Sequence, residues 1–149
     1  MGEKIQNIEV VIQTATKDRG SRTYDKTVQV DAGGQVFLGI AGREFRCRSA
    51  DGSTNFAPGD KDTFVFGGDS TVVNSNINDP QQLQFDHVKA FPVYIRFGTD
   101  GSDNWCVERV DLTVFGEEGS LRWTAPALKG EAHLWMGVQS SLMLYLERR

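Results

Sequence analysis

The stretch TDGSDNWCVERVDLTVFG, residues Thr99 to Gly116, begins as a polar loop and turns into a strand at Trp105. Its apolar positions change parity on the way. In strict alternation Trp105 and Val107 fall on one side of the strand, whereas Val110, Leu112 and Val114 fall on the other. A β-bulge near Glu108–Arg109 inserts one extra residue and returns all five side chains to a single face. A strand buried on both faces is the alternative, but the bulge also gathers Arg109, Asp111 and Thr113 onto one polar outer face.

The same chemistry extends outward along the chain. Val, Ile, Thr and Phe gather in short runs separated by Gly, Asp, Asn and Pro, which is the pattern of many short strands. The runs predict strands at Ile8 to Thr14, Thr27 to Asp31, Val36 to Ile40, Glu44 to Arg48 and Thr63 to Gly67. Five more are predicted at Val93 to Gly98, Trp105 to Phe115, Leu121 to Thr124, His133 to Val138 and Leu142 to Leu146. Gly33-Gly34, Asp51-Gly52 and Asp100-Gly101 supply residues that tolerate positive φ in tight hairpin turns. Helical periodicity is absent, apart from one short helical turn expected within Gln81 to Lys89. The expectation is an all-β chain, an antiparallel β-sandwich of two sheets.

Composition narrows the function classes. The 149 residues suffice for one full-sized core and form a single expected domain, 1–149. Sixteen basic against twenty acidic residues leave a net charge of −4, which argues against the broad basic surface that nucleic acid requires. No window approaches the roughly 18 consecutive apolar residues of a transmembrane segment, and the N-terminus lacks a signal peptide's apolar stretch. The chain therefore reads as soluble. Cys47 and Cys106 stand far apart without CxxC spacing, which suggests two buried thiols, although sequence does not set the distance between them.

Two motifs and a third, looser stretch resemble the PLAT family, the β-sandwich named for polycystins, lipoxygenases and alpha-toxin. In NFAPGDKDTFVFG, residues Asn55, Phe56, Gly59, Asp62 and Phe64 are similar to that family's Asn-Phe, Gly, Asp-x-Phe pattern. DNWCVERVDLTV is similar to its Asp-Trp followed by apolar residues two, five and seven positions on, here Val107, Val110 and Leu112. In IEVVIQTATKDRGSRTYDKTVQV, Gly20, Thr23 and Asp25 stand nearest to the family's first loop, with longer spacing. The resemblance covers about two thirds of the chain. It implies two four-stranded sheets and a non-catalytic module that attaches enzymes or receptors to membranes or protein partners, in several members with calcium held by loops at one end.

Three loops concentrate acidic and amide residues: Asp18 and Asp25; Asp51, Asn55, Asp60 and Asp62; and Asp100, Asp103 and Asn104. Calcium takes six to eight oxygen ligands, which such loops could supply. Two carboxylates about 5 Å apart repel by roughly 3 kcal/mol at an effective dielectric of ~20, so a converging set needs a cation or must splay into water. Asp and Asn are also what turns are made of. With the resemblance, the candidate metal set is Asn55, Asp60, Asp62, Asp100 and Asp103. In the first loop Arg19, Arg22 and Lys26 surround Tyr24, which makes them the candidate membrane or partner contact.

Other chemistries are thinner. Trp105, Trp123 and Trp135 could make a sugar-stacking platform, with Trp135 the best candidate for exposure, so a carbohydrate-binding module is the alternative function. There are two histidines, His87 and His133, and no GxSxG, HExxH or phosphate-binding glycine loop. A thiol of Cys47 or Cys106 paired with His87 is the remaining route to a hydrolase, and Glu108 beside Arg109 reads as an outer-face charge pair.

Overall fold

The computed structural model describes residues 3–15, 35–52, 55–57, 59–73, 79–98, 105–128, 134–137 and 142–149. The predicted strand at Thr27 to Asp31 lies outside them. Ten strands are described: β1 (Asn7–Thr14), β2 (Gln35–Ile40), β3 (Arg43–Arg46), β4 (Lys61–Gly67), β5 (Tyr94–Gly98), β6 (Trp105–Phe115), β7 (Ser120–Thr124), β8 (Leu134–Met136), β9 (Met143–Tyr145) and β10 (Glu147–Arg148). The expected helical turn is two pieces, a 3-10 turn at Pro80–Gln82 and α1 at His87–Ala90.

The strands form two antiparallel sheets. The first runs β10-β7-β6-β1-β4, with β8 also paired to β6, and the second runs β3-β2-β5-β9. The four-plus-four arrangement is present, and the short strands β8 and β10 extend the first sheet. This follows from the length of β6, whose half at Asp111–Phe115 pairs with β7 while Trp105–Val107 pairs with β8.

Period-2 alternation supplies the core. Ile8, Val10 and Ile12 of β1, Phe64 and Phe66 of β4, and Val110, Leu112 and Val114 of β6 face inward from the first sheet. Val36, Leu38, Phe45, Ile95, Phe97 and Leu144 meet them from the second. The sides are stitched as well. Thr71 N–H donates to Val65 O at 3.0 Å and Ala50 N–H to Thr71 O at 2.8 Å, so residues 71–73 join the edge of β4 to the continuation of β3. On the other side the chain passes directly from β9 in one sheet to β10 in the other, with Leu146 N–H held by Val93 O at 2.8 Å. Both sheet edges are thus partly covered by the chain itself.

The parity change in β6 is a bulge at Glu108. Gln13 pairs with Arg109 and the next residue, Thr14, pairs with Val107, so Glu108 has no opposite number in β1. Trp105, Val107, Val110, Leu112 and Val114 are all buried as a result. On the outer face Arg109 Nε forms an ion pair with Asp111 two residues on, since same-face neighbours along a strand are separated by two.

Deleting Glu108 should flip Trp105 and Val107 off the core face and cost about 4 kcal/mol or more, whereas Glu108→Ala, which keeps the residue count, should stay within about 1 kcal/mol. Urea denaturation followed by near-ultraviolet circular dichroism reads the difference. Equal stabilities for the two variants would show that the bulge does not set the register.

Candidate functional site

One end of the sandwich gathers every motif-bearing segment. The chain leaves the described fold there at Ala15 and Gly98 and re-enters at Gln35 and Trp105. Gln35 pairs with Gly98 across the second sheet, and Ala15 N–H donates to Cys106 O at 3.0 Å across the first. The loop before β4 closes the same end: Thr14 N–H donates to Asp60 O at 2.9 Å, and Gly59 N–H reaches Thr14 O at 3.2 Å and Ala15 O at 3.1 Å. Gly59 holds φ at 80°, a conformation that glycine adopts at little cost.

Within this loop Asn55 and Asp62 form a clasp. Ser49 N–H donates to Asn55 Oδ1 at 2.9 Å, while Asn55 Nδ2 donates to Ser49 Oγ at 2.9 Å and to Asp62 Oδ1 at 3.1 Å. Asp62 Oδ2 accepts the Phe56 N–H at 2.8 Å, and Asp60 Oδ2 accepts the Ala57 N–H at 3.2 Å. Phe56 sits at φ 62°, left-handed backbone that costs a non-glycine residue of order 1–3 kcal/mol. The clasp and the packing of its ring hold it there. That ring lies 5.5 Å from Phe64 and, edge-on, 5.1 Å from Trp105, which in turn meets Phe97 at 5.7 Å. Trp105 is fully buried, and its indole N–H donates to the hydroxyl of the equally buried Thr14 at 2.9 Å.

Three of the predicted site residues, Asn55, Asp60 and Asp62, lie among the described residues. Asn55, Asp60 and Asp62 do come together, but as a hydrogen-bonded clasp. The Asn55 carbonyl oxygen and both Asp62 oxygens each accept a protein N–H. Asp60 commits one oxygen. Among the described residues no group of three or more His, Cys, Asp and Glu side chains is arranged to hold a metal ion. Asp100 and Asp103, and likewise Arg19, Arg22, Tyr24 and Lys26, lie outside the described residues. Desolvation raises the Asp62 carboxyl above the ordinary carboxylate value, opposed by its bonds from Phe56 and Asn55.

The alternative chemistries fare differently. Both cysteines are free and buried, which agrees with the reading of two packed thiols. Burial pushes the Cys106 thiol up to about 12 and Cys47 further still, so neither is an activated nucleophile near neutral pH. His87 sits exposed on α1, in a segment held by Glu3 and packed by Gly116 at the opposite end of the sandwich. Trp123 is core. Trp135 corrects the expectation of an exposed tryptophan: it is half-buried over Cys106 and Ala15, forming a small second cluster on the outer side of the first sheet. Thr14 and Ser49, which anchor Trp105 and Asn55, carried no sequence signal, because a hydroxyl on a strand or in a turn looks the same with or without a buried partner.

Thr14→Val keeps the shape but strands the buried indole N–H, and should cost about 1–3 kcal/mol in chemical denaturation, while Thr14→Ser should recover most of it. For Asp62 the raised folded-state pKa means that the folded protein holds the proton more tightly than the unfolded chain. Stability should therefore fall as pH rises from the ordinary carboxylate value through the folded one. Carbon-detected NMR titration of the Asp62 carboxyl should give a midpoint above the ordinary value, and a depressed midpoint would contradict the burial argument.

No family model matches the chain, and no curated protein matches it in sequence. Among solved structures it is similar to the alpha toxin of Clostridium absonum, with a TM-score of 0.56 and 15% identity over 99% of this chain and 32% of that one. It is also similar to two structures of a LOX variant, each at 12% identity and TM-score 0.48 over 95% of this chain, one of them in complex with arachidonate. The chain spans 32% of the toxin chain and 16% of the LOX chains, and at 15% identity the likeness to the toxin is one of fold: this chain has the two-sheet, PLAT-like β-sandwich.

Proposed function

We propose that the protein is a non-catalytic module that attaches to an anionic membrane surface through the loop end of the sandwich. The observation that carries this reading is the rigid rim at that end. The segment bearing Arg19, Arg22, Tyr24 and Lys26 starts at Ala15, and the segment bearing Asp100 and Asp103 starts at Gly98. Ala15 is fixed by backbone bonds to Cys106 and to Gly59 of the loop before β4, and Gly98 by its pairing with Gln35. A fixed base lowers the entropic cost of presenting variable loops to a surface. The PLAT-like fold supports the same direction, and no described helix is long and apolar enough to cross a membrane. In this reading calcium is an accessory ion, taken by Asp60 through its second oxygen together with Asp100 and Asp103, and Asn55 and Asp62 stay in the clasp.

Flotation with vesicles of phosphatidylcholine and phosphatidylserine tests the contact. The protein should float with the anionic vesicles, and the triple change Arg19→Ala, Arg22→Ala, Lys26→Ala should weaken binding on the order of a hundredfold, at about 1 kcal/mol per basic residue. Retention in the soluble fraction at every composition would overturn the membrane reading and leave a protein partner for the same end. Calorimetric titration of chelator-treated protein addresses calcium separately: no heat and no shift in Tm at millimolar calcium would remove the ion and leave the surface contact standing.

A further inference from the structure

The outer face of the second sheet carries an arrangement that the loop-end reading does not use. Along β2 the outward positions are Gln35, Phe37 and Gly39; Tyr94 and Arg96 stand beside them on β5, Glu44 on β3 and Tyr145 on β9. A Cβ at residue 39 would collide with the Cζ and both Cε atoms of Tyr94. Only a ring lying face-down on the glycine puts all three there. The Tyr94 hydroxyl donates to Glu44 Oε2 at 2.8 Å, and Arg96 closes on the same carboxylate through two 2.8 Å bonds, from Nε to Oε2 and from Nη2 to Oε1. The Arg96 guanidinium also stacks on Phe37, 4.3 Å from its ring centre. These bonds hold the Glu44 carboxyl below its ordinary value.

The construction is repeated at the end of the same hairpin. A Cβ on Gly42 would stand 3.5 Å from Cζ and from both Cε atoms of Phe91, an equidistance that places the Phe91 ring face-on over that glycine. Phe91 is 47% exposed and Tyr145 is 59% exposed, and Tyr145 meets Tyr94 edge-on at 6.1 Å. Two aromatic rings therefore lie flat on two glycines of one hairpin, and Tyr145 stands edge-on beside the Tyr94 ring.

We propose that this face binds a neutral oligosaccharide, with pyranose rings stacked on Tyr94, Tyr145 and Phe91 and hydroxyls bonded to the Glu44–Arg96 pair. A pyranose presents a flat face of C–H groups flanked by hydroxyls, and flat, immobilised aromatic faces beside fixed donors and acceptors are its complement. Within the Glu44–Arg96 pair the charges cancel, and Arg46, opposite Phe37 on β3, adds a further donor to the same face. Its exposed apolar area also favours a small partner: three aromatic side chains of roughly 150–250 Å² each, all partly covered, fall short of the roughly 800 Å² per partner of a stable protein interface. The tryptophans take no part, because Trp105 and Trp123 are core and Trp135 belongs to the other sheet.

Affinity electrophoresis of the full chain in gels containing mixed-linkage β-glucan, xyloglucan, xylan or galactomannan tests this. At least one polysaccharide should retard the protein, and Tyr145→Ala and Phe91→Ala should each lower the association constant at least tenfold with only a small change in Tm, since about half of each side chain is exposed. Tyr145→Trp should retain binding, and tryptophan emission of the native protein should be unmoved by the polysaccharide. Migration unaffected by all four polysaccharides overturns the proposal. So does retardation that survives both alanine changes, or binding that quenches tryptophan emission, which would move sugar binding to Trp135. Because vesicle flotation depends on Arg19, Arg22 and Lys26, the two experiments fail independently.

Discussion

The Phe56 N–H bonded to Asp62 Oδ2 is the constraint on which one end of this sandwich depends. It fixes a phenylalanine in left-handed backbone, and that conformation turns the Phe56 ring inward onto Trp105. Trp105 in turn fixes Thr14, and Thr14 fixes the loop through Asp60 and Gly59. The chain of contacts closes on itself. Three stretches separated by dozens of residues thereby become one rim, and the strain at Phe56 is offset by buried bonds and aromatic packing that none of the three could form alone.

A rim of this kind fixes the points at which the chain leaves and re-enters the described fold at this end. The described bonds there run between backbone groups or end on part-buried side chains, with the Trp105–Thr14 bond fully buried. The clasp also limits what its own acidic residues can do. Asn55 and Asp62 accept bonds from protein donors, so polar residues that look like ion ligands in a list of loops here also shape the loop. The second sheet shows the reverse case. Glu44, Tyr94 and Arg96 look like ordinary surface residues in sequence, yet register sets them in one cluster around a single carboxylate.

Much of this architecture was legible in the residues. Alternation and turn chemistry placed nine of the ten described strands, and Trp105–Phe115 was placed to the residue. The parity change identified the bulge because the side-chain period of a strand leaves no other way to keep five apolar residues on one side. The strand β10 was missed because Glu147 and Arg148 have no apolar side to alternate. Trp135 was misjudged because alternation says which face a side chain takes but not whether something covers that face. Here Cys106 and Ala15 lie beneath it.

By itself, then, the sequence determined the class of fold, the inward set of side chains and the position of the bulge, since all three follow from local periodicity and from the burial of apolar groups. Only the tertiary structure decided what the polar residues do. A carboxylate's role depends on which donors reach it, and a glycine's on which ring lies over it. Asn55–Ser49, Asp62–Phe56, Trp105–Thr14 and Gly39–Tyr94 are contacts between segments, each fixed by strand register and packing rather than by anything in the neighbouring sequence.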